Sequence, residues 1–325
     1  MPPRLNIIVY GVILSFQLFI IADAVSSDKK FFNSISRFTN PQLVKIYGLP
    51  EGAEKTCIST EEPFISRDGR FLFFNTGKNE NNKDLHYAEC VNNKWIYRDS
   101  MKPNINDSKE VQATPTMDKN YNFLYLDTAI NSMIRIAKFS PNNGKLHSLR
   151  DVDGIPTKKV EFMNQKFIGN MGVEISSDGR YMFFSQATWK LKMSINGFTI
   201  GKLLSSNILF SRKKGNKYIY NKAETKHIMM HINTQNLEYA ASISSDGLEL
   251  FFTRFLLSDY NTGKIRSRIM HSTRTTLSSP FSEPEMIETI GSSDFVEGSA
   301  ISADGKELYY HKLVGKKFRI YKVTR

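Results

Sequence analysis

Apolar and polar positions alternate in short runs that recur along the chain, and one twelve-residue pattern repeats. FISRDGRFLFFN (64–75), PTMDKNYNFLYLD (115–127), EISSDGRYMFFS (174–185), SISSDGLELFFT (242–253) and AISADGKELYYH (300–311) share an apolar residue, a Ser-x-Asp-Gly core and a following aromatic-rich run. The short segment before the core and the aromatic-rich run of β-formers after it predict β-strands, and the core between them predicts a tight turn. Asp68, Asp178, Asp246 and Asp304 can accept amide hydrogen bonds from two residues further on. Gly69, Gly179, Gly247 and Gly305 can adopt the positive φ that such a turn requires. Each copy therefore reads as a β-hairpin. The second copy is degenerate, with Asp118-Lys119 read in place of Asp-Gly.

The Asp positions are spaced 50, 60, 68 and 58 residues apart, which suits four-stranded propeller blades with long loops. Third strands are predicted at 84–90, 132–139, 206–213, 266–274 and 318–325, and fourth strands at 94–99, 145–151, 217–222 and 280–288. The fifth repeat has no fourth strand of its own. FTNPQLVKI (38–46) and FSEPEMIET (281–289) share Phe-x-x-Pro-x-apolar-apolar, so residues 38–46 are expected to supply it and close the ring. The fold expectation is all-β: a propeller of five four-stranded blades closed by an N-terminal strand in the last blade. A sixth blade would need a hidden copy within 186–240.

These hairpins resemble the TolB-type, WD-like β-propeller repeat of exported proteins. DLHYAECVNNKW (84–95) and RIMHSTRTTLSSPFSEPEMI (268–287) are similar to two longer segments of that family, and the resemblance covers residues 38–325. It implies a propeller that is usually extracytoplasmic. It implies little about activity, because such propellers serve as binding scaffolds, as accessory domains and occasionally as enzymes.

The first 24 residues read as a signal peptide. Arg4 is followed by the apolar run 7–21 and by Ala22-Asp23-Ala24 as a cleavage site. The expected organisation is a signal peptide over 1–24 and one propeller domain over 25–325, secreted or periplasmic, with no membrane span after cleavage. Cys57 and Cys90 are the two cysteines, a candidate disulfide in an exported chain. The aromatic content, 23 Phe and 14 Tyr, suits many short strands. The net charge of +12 favours anionic partners, but the lysines form no run of five, so nucleic acid is not expected.

Propeller sites line the central channel on the innermost strands, which precede each turn. These strands carry Glu61, Glu62, Gln112, Thr114, Glu174, Glu238, Tyr239, Asp294 and Glu297. Glu61, Glu174 and Glu297 are the candidate catalytic carboxylates for glycoside hydrolysis. Glu62, Gln112, Glu238, Asp294 and Trp189 are candidate ligand contacts. Trp189 lies in 186–205, an insertion in the third blade that reads either as a hairpin folded back on its own blade or as a contact surface for a partner. His227 and His231 would stand about 13 Å apart on a strand but adjacent on a helical turn; with no HExxH they do not predict a metal site. No phosphate-binding loop, nucleophile elbow or dinucleotide fingerprint is present, and no cofactor is expected. The sequence favours a binding scaffold for a protein or anionic glycan over an enzyme. A glycan-active enzyme using channel carboxylates is the alternative, and a lactonase-like channel metal site a third.

Overall fold

The computed structural model describes residues 38–50, 59–79, 82–101, 105, 111–127, 133–161, 163–194, 197–291 and 293–325. The signal-peptide segment and Cys57 lie outside them. The chain is mostly β and propeller-like. Each repeat forms one unit, in which an inner strand leads through the turn into a second strand and then outward. The inner strands are Glu61–Ile65, Gln112–Met117, Lys166–Ile175, Leu237–Ile243 and Val296–Ile301. Each lies against the next, and the fifth lies against the first.

The turn chemistry is uniform in four units. Asp68, Asp178, Asp246 and Asp304 each accept the amide two residues on, at 2.9–3.1 Å. The serine two residues earlier donates to the same carboxylate and accepts an amide of the returning strand. In unit two the structure corrects the alignment. Asp118 takes the place of the serine, because Tyr121 N donates to its carbonyl just as Gly69 N donates to that of Ser66. Tyr121 then occupies the glycine position with φ +60°. Its hydroxyl reaches Asp68 of unit one at 2.6 Å, a bond that holds this unfavourable backbone in place.

The inner strands share a second device. Each carries a one-residue bulge against its partner strand. In four of them the residue four before the turn serine, or before Asp118, has positive φ: Glu62 +49°, Thr114 +49°, Ala240 +52° and Gly298 +65°. Their amides turn towards the neighbouring unit. Ala240 N donates to Ser185 Oγ, Gly298 N to Thr253 Oγ1, Glu62 N to His311 Nδ1 and Thr114 N to the Glu62 carboxylate, at 2.7–3.2 Å. Nearer the turns, Ile175 N donates to Thr116 Oγ1, Ile243 N to the Glu174 carboxylate and Ile301 N to Ser242 Oγ.

Segment 39–47 joins the first and last units. Thr39–Leu43 pairs antiparallel with Lys317–Thr324, and Ile46–Tyr47 pairs parallel with Lys94–Ser100 of unit one. Units three and four are hydrogen-bonded into one sheet through the single parallel bridge Ser206–Leu237. The insertion at 186–205 forms a hairpin extension of strands Tyr181–Ser194 and Gly197–Lys214, the first of the two readings offered for it. The expected strand 280–288 shortens to Glu285–Met286. His227 lies in the helix Lys222–Ile228, and His231 contacts Glu283 on the surface.

Glu249 at the seam of units four and five is bonded by His271 and by both terminal nitrogens of Arg325. These contacts hold its carboxyl at about 2, against an ordinary 4.5. A depressed carboxyl contributes stability above its unfolded value and loses it as pH falls through the folded one. Glu249→Gln is expected to lower the melting temperature at pH 7, with the difference closing between pH 4.5 and 2 in a pH series of thermal melts. Thr253→Val strands the Gly298 amide and should cost about 1–3 kcal/mol in denaturant unfolding.

Candidate functional site

The five inner strands enclose an axial cavity of about 30 Å³, lined by Glu62, Thr114, Glu174, Ala240 and Ser299 among others. That is room for a water or two, against several hundred cubic ångströms for typical ligand sites. Its turn end is filled by a residue that the sequence reading did not single out. Arg67 of unit one extends across the axis with its side chain 3% exposed. Its guanidinium donates to Glu174 Oε1 at 2.9 Å and to the carbonyls of Met117, Ile175 and Ile243, on units two, three and four. Thr116 donates to the other Glu174 oxygen. A signal was present in the repeats: the second position of Ser-x-Asp-Gly is Ser177, Ser245 or Ala303 elsewhere and arginine only in unit one.

At the opposite end lies a buried polar cluster. Glu61 pairs with Lys83, which also lay outside the sequence reading, and accepts from Ser59. Burial pushes the Glu61 carboxyl up, but the charge and hydrogen bond of Lys83 outweigh it and leave the group below its ordinary value. Burial lowers the Lys83 ammonium, and Glu61 and Glu62 more than reverse this. The Glu62 carboxylate holds Asn75 Nδ2 at 2.9 Å and Thr114 N at 2.7 Å, yet burial raises its pKa. Glu297 accepts from Tyr239 Oη at 2.7 Å and lies 3.2 Å from His311 Nε2. Because His311 Nδ1 accepts the Glu62 amide, its proton sits on Nε2 and is directed at Glu297. Burial and the Glu297 charge push the Tyr239 hydroxyl well above its usual range.

The three candidate catalytic carboxylates thus divide between the two ends of the axis. Glu174 is held with Arg67 at the turn end, while Glu61 and Glu297 lie in the far cluster; all three are buried and engaged. Among the candidate ligand contacts, Glu238 is buried against Arg254 and Thr234, and Gln112 is buried in its strand. Asp294 pairs with Lys312 at 2.7 Å. Trp189 is 5% exposed and packs on Phe167 with ring centroids 5.5 Å apart; the hairpin extension turns its apolar side inward, leaving this indole no face for a partner. Cys90 is a half-buried free thiol. No group of three or more His, Cys, Asp or Glu able to hold a metal occurs among the described residues. No helix there is long and apolar enough to cross a membrane.

No protein-family model and no curated protein sequence matches the chain. Solved structures do. TolB from Acinetobacter baumannii aligns at 9% identity and a TM-score of 0.42, over 83% of this chain and 55% of that one. The chain therefore spans about half the length of that TolB structure. The catalytic domain of the Coprinopsis cinerea GH62 alpha-L-arabinofuranosidase aligns at 12% identity and 0.47, over 87% and 96%. A putative TolB from Agrobacterium tumefaciens aligns at 12% and 0.42, over 83% and 91%.

Removing one partner of a buried ion pair leaves the other charge stranded at a cost of about 3–5 kcal/mol. Arg67→Met and Glu174→Leu should each destabilise on that scale in urea unfolding. The double variant should cost clearly less than their sum.

Proposed function

We propose that the chain is a five-bladed propeller that acts as a binding scaffold outside the cytoplasm, using a face of the ring rather than its axis. The five mutually packed inner strands and the segment shared by the first and last units support the blade count. The observation that carries the functional reading is Arg67. A guanidinium bonded to three units and to Glu174 occupies the axis where a substrate would have to sit. The axial carboxylates serve as acceptors for amides and cations that hold the blades together. Glycoside hydrolysis needs an acid and a base or nucleophile free to flank one bond, whereas Glu174 is held apart with Arg67, and Glu61 and Glu297 are each buried and bonded by Lys83 and by Tyr239.

Incubating the purified protein with a panel of plant and microbial polysaccharides should release no reducing ends beyond those seen with heat-denatured protein. Release by the native protein that disappears in Glu61→Gln or Glu297→Gln would establish a glycan-active enzyme and overturn the reading.

A further inference from the structure

The repeats make the seams comparable, and two of them carry an arginine where a third has a cysteine. The residue closing the third strand has the same backbone bond in four units: Arg274 N to Leu248 O, Arg325 N to Lys306 O, Lys213 N to Arg180 O and Cys90 N to Arg70 O. In unit four, Arg274 Nε donates to the carbonyl of turn Gly247, and the guanidinium lies 4.5 Å from the ring centroid of Phe281. In unit five, Arg325 Nε donates to Gly305 O, and the guanidinium lies 4.9 Å from that of Phe38. Arg325 then crosses the seam to grip Glu249 of unit four.

Unit one keeps the surroundings of such a guanidinium and has Cys90 in its place. The ring facing that position is Trp95, directly opposite Cys90 in the strand register. The turn carbonyl is that of Gly69. The carboxylate across the seam is Glu307, which stands five residues after Ser302 as Glu249 stands five after Ser244. Glu249 is bonded from its partner strand by His271, and Glu307 likewise by Lys322. The space left is a groove of about 570 Å³ lined by Gly69, Cys90, Trp95, Asp304, Glu307 and Lys322, within the size range of small-ligand sites. Two more carboxylates, Asp68 and Asp304, border it, and with Glu307 they outnumber the lining cations Arg67 and Lys322 by three to two, against the +12 of the chain.

We propose that the seam of units five and one is a binding site for a guanidinium group supplied from outside, by a small guanidine or by an arginine side chain of a partner polypeptide. Carboxylates and aromatic faces are the two environments that bind this cation best, and Arg325 shows the protein using both one seam away. The inference deepens the scaffold reading by naming a face and a ligand chemistry. Its test does not involve glycan turnover, so either can fail alone.

Calorimetric titration of the full chain with agmatine, and with acetyl-Gly-Arg-Gly-amide, should give saturable 1:1 binding. Tighter binding of the tripeptide assigns a polypeptide source and tighter binding of agmatine a small molecule; both support the site. Affinity should fall about tenfold in Glu307→Gln and be lost in Cys90→Arg, whose own guanidinium fills the groove. Asp178→Asn, at the equivalent turn of unit three, should bind as the parent does. If Cys90→Arg does not fold, Glu307→Gln decides. Absence of binding by both probes, or unchanged affinity in Glu307→Gln or in folded Cys90→Arg, overturns the proposal.

Discussion

Strands gathered around an axis do not complete one another's hydrogen-bond ladders, so every amide turned towards a neighbouring unit needs an acceptor that the ladder does not supply. This constraint organises the molecule. In four of the five inner strands the bulge re-aims an amide towards the preceding unit, and the residue after that unit's aromatic pair stands where the amide must be met. Ser185, Thr253 and His311 meet it directly; at the seam of units one and two, Asn75 steadies Glu62, which accepts instead. The side chains differ in chemistry but share position, burial and the capacity to accept. Leaving such buried donors unmet would cost far more than the bonds themselves contribute.

The same logic explains why the axis is charged yet closed. Three inner-strand carbonyls converge at the turn end, and a single planar, five-donor cation answers them together with Glu174. The far end solves its own convergence with Lys83 among Glu61 and Glu62 and with His311 beside Glu297. A row of acidic residues before tight turns suggests a reactive channel when read along the chain. In three dimensions each carboxylate is engaged by cations, hydroxyls or amides of neighbouring strands.

The strand-turn-strand units were legible because their signals are local: Asp-Gly punctuation and the paired aromatics of the returning strand. The shared Phe-x-x-Pro motif pointed to the segment that lies beside the last strand. The degenerate turn was misaligned because Asp118 imitates a serine hydroxyl with its carboxylate, a substitution visible only through its bonds. The 186–205 insertion left a folded-back hairpin and a partner surface both open, because its mixed apolar and lysine residues suit either until the packing of Trp189 on Phe167 is seen. Arg67 and Lys83 were missed for opposite reasons. Arg67 breaks a pattern of small residues and Lys83 belongs to no pattern, and their partners lie far away in sequence. The equivalence of Cys90 with Arg274 and Arg325 needed strand register, which sequence spacing leaves free by a residue or two.

The strap that pairs Thr39 with Thr324 joins positions 285 residues apart. Loop-closure entropy grows only logarithmically with such a span, so this pairing carries little thermodynamic burden from it. The kinetic burden is larger, since contacts this distant form late and slowly. Until the final strand is in place, Thr39–Leu43 has no partner edge and the outer rim of the last sheet stays open. Assembly of this fold is therefore gated by its terminal step, and an intermediate awaiting that step would present a bare strand edge to any other chain nearby.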